Sequence, residues 1–80
     1  MRVDKFLKIS RILKRRTVAK HACEGNRVKA NGKDVKPSYE VKVGDIIEIG
    51  FGSGTLKFEV LKIQEYVKKE DAESLYKVIN

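Results

Sequence analysis

The stretch Arg27-Val28-Lys29-Ala30-Asn31-Gly32-Lys33-Asp34-Val35-Lys36 decides the fold. Asn-Gly between two short runs is the strongest local hairpin signal, because a tight type I′ turn needs positive φ at both central residues, and Asn and Gly tolerate it best. Arg27 to Ala30 therefore leads into the turn, Lys33 to Lys36 returns from it, and Pro37 ends the returning strand. Downstream, Lys42-Val43-Gly44-Asp45 reads as a turn that delivers the apolar strand Ile46 to Ile49. Gly50, Gly52, Ser53 and Gly54 surround Phe51 in a short glycine-rich turn between strands. Leu56, Phe58 and Val60 alternate with Lys57 and Glu59, the pattern of a half-buried strand, and Val60, Leu61 and Ile63 suggest a bulge or a change of face beyond it. The strands are expected between residues 26 and 64.

Upstream of Gly25 the period changes from two to that of a helix. Val3, Phe6 and Leu7 recur at helical spacing with Lys5 and Lys8 on the opposite side, which predicts an amphipathic helix over 3–9 with a basic outer face. Asp4 stands in its first turn, where a carboxylate favours the positive end of the helix dipole. Val18, Ala19, Ala22 and Cys23 predict a second helix over 16–24, closed by Gly25 or Asn26. Ser10 to Arg15 joins the two into a helix pair. At the other end, Ala72, Leu75, Tyr76 and Ile79 follow helical spacing behind Glu70-Asp71 and predict a short C-terminal helix over 70–77, with Leu75, Tyr76 and Ile79 buried on the strand 56–63. The expected fold class is α+β: a basic helix pair packed on a small antiparallel β-sheet, with a short C-terminal helix.

Eighty residues allow one domain with one modest core. With 41% hydrophobic and 36% charged residues the chain has enough apolar material to fold and keeps a heavily charged surface. No apolar run approaches the roughly 18 residues of a membrane span, and the first residues lack the apolar stretch of a signal peptide. A soluble, cytoplasmic protein is expected, monomeric when free. Cys23 is the only cysteine and His21 the only histidine, so neither an internal disulfide nor a zinc site is expected, and no cofactor is implied.

The net charge of +7 lies entirely in one segment. Residues 1–20 hold Arg2, Lys5, Lys8, Arg11, Lys14, Arg15, Arg16 and Lys20 against one acid, Asp4, and residues 21–80 are balanced. A field so asymmetric attracts polyanions, nucleic acid first among them. Guanidinium forks grip phosphate bidentately and stack on unpaired bases, which favours Arg2, Arg11, Arg15 and Arg16 over the lysines as primary contacts. Arg16 also stands at the expected start of the second helix, where backbone N–H groups point at anions. The alternative for Arg16 is a structural ion pair with Asp4, and a carboxylate that orients an arginine leaves donors free for phosphate.

Three pieces in fixed order carry a family resemblance: Arg2-Val3-Asp4-Lys5-Phe6-Leu7, then Arg16 with Ala19, then Arg27-Val28-Lys29-Ala30-Asn31-Gly32 followed by Val43-Gly44-Asp45-Ile46. Together, over residues 1 to about 50, they resemble the RNA-binding domain named after the small-subunit ribosomal protein S-four, and the whole chain resembles that family's stand-alone bacterial members. The resemblance implies an αL-type helix pair that binds structured RNA, with Arg16 and the hairpin Arg27 among its contacts. For the stand-alone members it further implies binding to large ribosomal subunits that carry a stalled peptidyl-tRNA, through rRNA and tRNA, in ribosome-associated quality control. Two positions depart from the family pattern. Lys14-Arg15 stands where a Ser or Thr normally caps the second helix, a loss of about 1 kcal/mol. Asn26 fills the slot of the glycine that precedes the hairpin arginine, and Asn adopts the same left-handed backbone.

Enzyme readings fail on inventory. His21 and Glu24, one helical turn apart, suggest a small ribonuclease, but a histidine beside Lys20 and Glu24 on a helix surface reads as solvated. Cys23 falls on the apolar side and reads as a small core residue. Residues 50–54 lack the Gly-Lys-Ser/Thr ending of a phosphate loop, and the chain implies no small-molecule substrate. Tyr39, Phe51 and Tyr66 are candidates to stack on bases, although most of the aromatic residues are expected in the core.

Overall fold

The computed structural model describes residues 1–13, 21–25, 27–51 and 54–79, with the backbone alone at Phe51. Helix α1 spans Val3–Ile9, the bounds that the Val3, Phe6, Leu7 spacing predicts, with all three side chains buried. It starts where it does because the preceding backbone is tied down. Val3 N–H donates to Tyr39 O (2.7 Å), Val41 N–H donates to Met1 O (3.0 Å), and Arg2 forms an antiparallel bridge with Glu40.

Residues 21–24 are helical; the expected start of that helix at Arg16 lies outside the described residues. Gly25, one of its two expected closing residues, does not take a positive φ, and the other, Asn26, lies outside the described residues. Gly25 N–H returns to His21 O (2.9 Å) and Arg27 N–H to Ala22 O (2.9 Å), the wrap-around bond that satisfies helix-terminal carbonyls.

The sheet begins with β1 (Val28–Ala30) and β2 (Lys33–Asp34), joined by the Asn-Gly turn with φ of 53° at Asn31 and 85° at Gly32. The return strand is shorter than expected, ending at Asp34 and not at Lys36. Strands β3 (Ile46–Phe51) and β4 (Gly54–Val60) pair antiparallel from Ile46↔Glu59 to Phe51↔Gly54, so Gly50, Phe51 and Gly54 extend the strands where a turn was expected. A fifth strand, β5 (Tyr76–Val78), pairs antiparallel with β4, and the sheet order is β2-β1-β3-β4-β5. Strict alternation builds one core face: Val28, Ala30, Ile47, Ile49, Phe58 and Val60 are buried, and Lys29 between them is exposed. Helix α1 lies against this face, with the Phe6 ring stacked on Phe58 at 6.3 Å between centroids, and Cys23 joins the same cluster.

The C-terminal expectation is corrected. Lys69–Leu75 is a 3₁₀ helix, and the chain then turns extended into β5 instead of continuing as a helix to 77. Side chains three apart eclipse in a 3₁₀ helix, which is why Ala72 and Leu75 form its buried pair. Leu75 O is captured from outside, by Leu61 N–H (2.8 Å) and Lys62 N–H (3.3 Å), and so is not free to extend a helix. Leu75 is fully buried and Tyr76 half-buried, its ring edge-on to Phe58 at 5.4 Å, but Ile79 is 42% exposed. Leu61, expected at a bulge, lies beyond the end of β4 and is exposed.

A side-chain lock joins the two turns. Asp45 accepts from Tyr39 OH (2.8 Å), Lys42 N–H (2.9 Å) and Asn31 Nδ2 (3.2 Å), while Asn31 Oδ1 accepts from Ile46 N–H (3.0 Å). Burial alone would raise the Asp45 carboxyl pKa. The donated bonds from Lys42, Tyr39 and Asn31 outweigh it and hold the group below the usual carboxylate range.

Candidate nucleic-acid interface

The described part of the basic segment is residues 1–13: α1, the two residues before it and the four after it. Arg2 stands at the N-cap of α1, and its half-exposed guanidinium donates to Asp4 Oδ2 at 3.3 Å. Asp4 is 1% exposed, and its other oxygen accepts Lys5 N–H at 2.8 Å. A carboxylate that deep requires cationic and N–H partners. Asp4 thus pairs with Arg2; the expected partner of its orienting role, Arg16, lies outside the described residues.

Lys5 and Lys8 occupy the outer side of α1, as their spacing predicts. Lys5 reaches Glu65 (Nζ to Oε2, 2.9 Å) across sixty positions of sequence, and this ammonium holds the Glu65 carboxyl below its ordinary range. Part of the Lys5 charge is thus answered inside the protein. Lys8 and Arg11 are exposed and line one groove of about 570 Å³ together with Ile9 and the chain segment 65–68.

Arg11 has φ of 62°. Its N–H bonds Lys8 O (3.0 Å), and Ser10 N–H bonds Phe6 O (2.9 Å), so the helix closes through a left-handed residue that is not glycine. A non-glycine side chain in that region costs of order 1 kcal/mol. Arg11→Gly should accordingly leave the fold as stable or more stable, by up to about 1 kcal/mol, while removing a cation from the face. Denaturant unfolding beside an RNA titration checks both halves, and a loss of stability would mean that the Arg11 side chain holds the turn.

The other expected contacts among the described residues do not converge on this groove. Arg2 lines a second groove with Glu24 and residues 34–38, where acids accompany it. The exposed Arg27 lines a third with Leu13, His21 and Gly50. Lys14, Arg15, Arg16 and Lys20 lie outside the described residues. Lys8 and Arg11 are thus the two expected residues that the described structure brings together. Tyr66, Val67 and Lys68 join them from far along the chain, and the signal for this in the sequence was slight: one aromatic residue between Glu65 and Lys68-Lys69.

The remaining candidates have structural places. Tyr39 spends its hydroxyl on Asp45, and burial followed by that bond raises its pKa. Burial, then the carboxylates of Asp4 and Glu24, push the Cys23 thiol up to about 11, which keeps it protonated and inert near neutral pH. His21 is exposed. Among the described residues, no group of three His, Cys, Asp or Glu side chains is placed to hold a metal ion, and no helix is long and apolar enough to cross a membrane.

Comparison with known proteins places these features. Residues 1–47 match the S4 domain. A protein of Streptococcus pneumoniae named "RQC P-site tRNA stabilizing factor" is 49% identical over 80 residues, covering 100% of this chain and 91% of that one. Its namesake in Halalkalibacterium halodurans is 47% identical over 78 residues, covering 98% and 89%. The trimeric structure of Vibrio cholerae heat shock protein 15 superposes with a TM-score of 0.91 at 31% identity, covering 99% of this chain and 81% of that one.

Proposed function

The chain belongs to the S4 domain family, and on that premise we propose that it is an RNA-binding factor of ribosome-associated quality control that stabilises tRNA at the P site. The observation that carries this reading is the 49% identity, along the whole chain, to a factor of that name. The sequence supplies the physics. A +7 charge confined to residues 1–20 neutralises phosphates and releases their counterions on binding. Arg2, Lys5, Lys8, Arg11, Lys14, Arg15, Arg16, Lys20 and Arg27 are the proposed contacts, with Asp4 orienting. Behind α1, which carries Lys5 and Lys8, stand the sheet and its Asp45 lock.

The partners in this reading are rRNA and peptidyl-tRNA on the large ribosomal subunit, in the cytoplasm. It is a binding function, with no bond made or broken by the protein. The exposed His21 is read as solvated, so His21→Ala should leave RNA intact and bound as before.

Sedimentation through a gradient distinguishes the possibilities. The protein is expected with free large subunits that retain a peptidyl-tRNA, and it should leave them when a nuclease or puromycin-type release removes that tRNA. Equal presence on all ribosomes would mark a structural ribosomal protein, and absence from every ribosomal fraction would overturn the reading.

A further inference from the structure

We propose that Tyr66 is a stacking platform for an unpaired base of the bound RNA, with Lys8, Arg11 and Lys68 supplying cations for the adjoining phosphates. This rests on the RNA-binding reading and extends its contacts to Tyr66 and Lys68, outside the matched residues 1–47.

The described aromatic side chains divide sharply. Phe6 and Phe58 are fully buried, Tyr76 packs edge-on against Phe58, and Tyr39 is committed to Asp45. Tyr66 is 92% exposed. A single exposed apolar residue is ordinary on a protein surface, and the setting of this one is what separates it. Its groove is lined by the exposed cations Lys8, Arg11 and Lys68 over the half-buried Ile9 and Val67. The one acid there, Glu65, is already engaged by Lys5 at 2.9 Å.

An aromatic face with cations around it fits a nucleotide in both of its parts. The base stacks on the ring, and the phosphates on either side meet ammonium and guanidinium groups. An apolar protein side chain would use the ring and leave three cations unmatched. The groove is also continuous with the basic side of α1, since Lys8 belongs to both and Arg11 follows just past the helix end. The Lys5–Glu65 pair ties segment 61–68 to α1, and the bonds of Leu61 and Lys62 N–H to Leu75 O anchor its start to the 3₁₀ helix. The platform is therefore in place before RNA arrives, and little ordering is required on binding.

The chain has no tryptophan, so Tyr66→Trp introduces a single reporter at an exposed position. Two probes suffice: a hairpin RNA with an unpaired loop, and the same stem as a blunt duplex. Quenching of the Trp fluorescence by the hairpin and not by the duplex is expected. Tyr66→Ala should weaken hairpin binding about ten-fold, leave duplex binding within about two-fold, and keep the salt slope of the wild type, because no phosphate contact is lost. Tyr66→Phe should bind as the wild type does.

Equal affinities of Tyr66→Ala and wild type for the hairpin, or an unquenched Trp, would overturn the platform while RNA binding itself stood. Loss of ribosomal subunits by Tyr66→Ala without any loss of hairpin affinity would overturn it too, in favour of protein docking. Failure of the wild type to bind either RNA would overturn the platform and the RNA-binding reading together.

Discussion

Asp45→Ala is expected to lower the unfolding free energy by about 3 kcal/mol, with a fall in Tm of roughly 15 °C for a domain of this size. The carboxylate is the common acceptor of Tyr39 OH, Lys42 N–H and Asn31 Nδ2, and it is 8% exposed. Hydrogen bonds to a charged group contribute about 1.5 to 3 kcal/mol each, and truncation leaves donors unmatched in a partly closed site. Their effects overlap, so the total falls short of the sum. Asp45→Asn should cost less, since one amide oxygen still accepts, but its NH₂ faces the Asn31 NH₂.

The pH dependence has a definite sign. The folded carboxyl lies below its ordinary value, so this contribution is fully present above about pH 4, the unfolded pKa, and is lost as pH falls through the folded pKa. Urea titrations of both proteins at neutral and acid pH test this. The difference between wild type and Asp45→Ala should shrink on acidification, and a difference under about 1 kcal/mol at neutral pH would show that the three bonds carry little net stability.

Arg16→Ala is expected to weaken binding to structured RNA by roughly 1 to 3 kcal/mol. In the proposed reading this guanidinium would join ionic and bidentate contacts to phosphate that an exposed lysine lacks. Lys62→Ala and Lys77→Ala remove the same unit charge from the balanced part of the chain, at exposed positions, and should change affinity by under about 0.5 kcal/mol. Across a salt titration the wild type should show a log–log slope of several units, lowered by about one in Arg16→Ala. Unfolding curves are needed alongside, since an Arg16 ion pair with the buried Asp4 would link binding to stability. Equal effects at Arg16 and Lys77 would mean that RNA senses only net charge, and the proposed face would be abandoned.

Much of the fold was legible because its signals are local. The Val3, Phe6, Leu7 period marked α1 to the residue, Asn31-Gly32 placed the hairpin, and the alternation through Leu56, Phe58 and Val60 marked β4. Each depends on the geometry of a few neighbouring residues, which the chain carries wherever it lies. The concentration of charge in residues 1–20 was equally plain, since charge needs no fold to be counted.

The misread tail shows where locality ends. Ala72, Leu75, Tyr76 and Ile79 have helical spacing, yet the edge of β4 offers unpaired N–H and C=O groups to whatever lies beside it, and Ile79 N–H donates to Lys57 O at 3.0 Å. Pairing along that edge satisfies backbone groups of both strands, and tertiary context overrides so short a pattern. The candidate site was legible only in part for the same reason. Lys8 on α1 could be read from spacing, but the Lys5–Glu65 pair spans sixty residues and Tyr66 meets Lys8 and Arg11 from the far end of the chain. By itself, then, the sequence determined α1, the hairpin, β3, β4 and the sign and place of the charge, all properties of neighbouring residues. The fifth strand, the Asp45 lock and the groove at Tyr66 were decided by the tertiary structure, because each depends on groups that meet only after the chain has closed on itself.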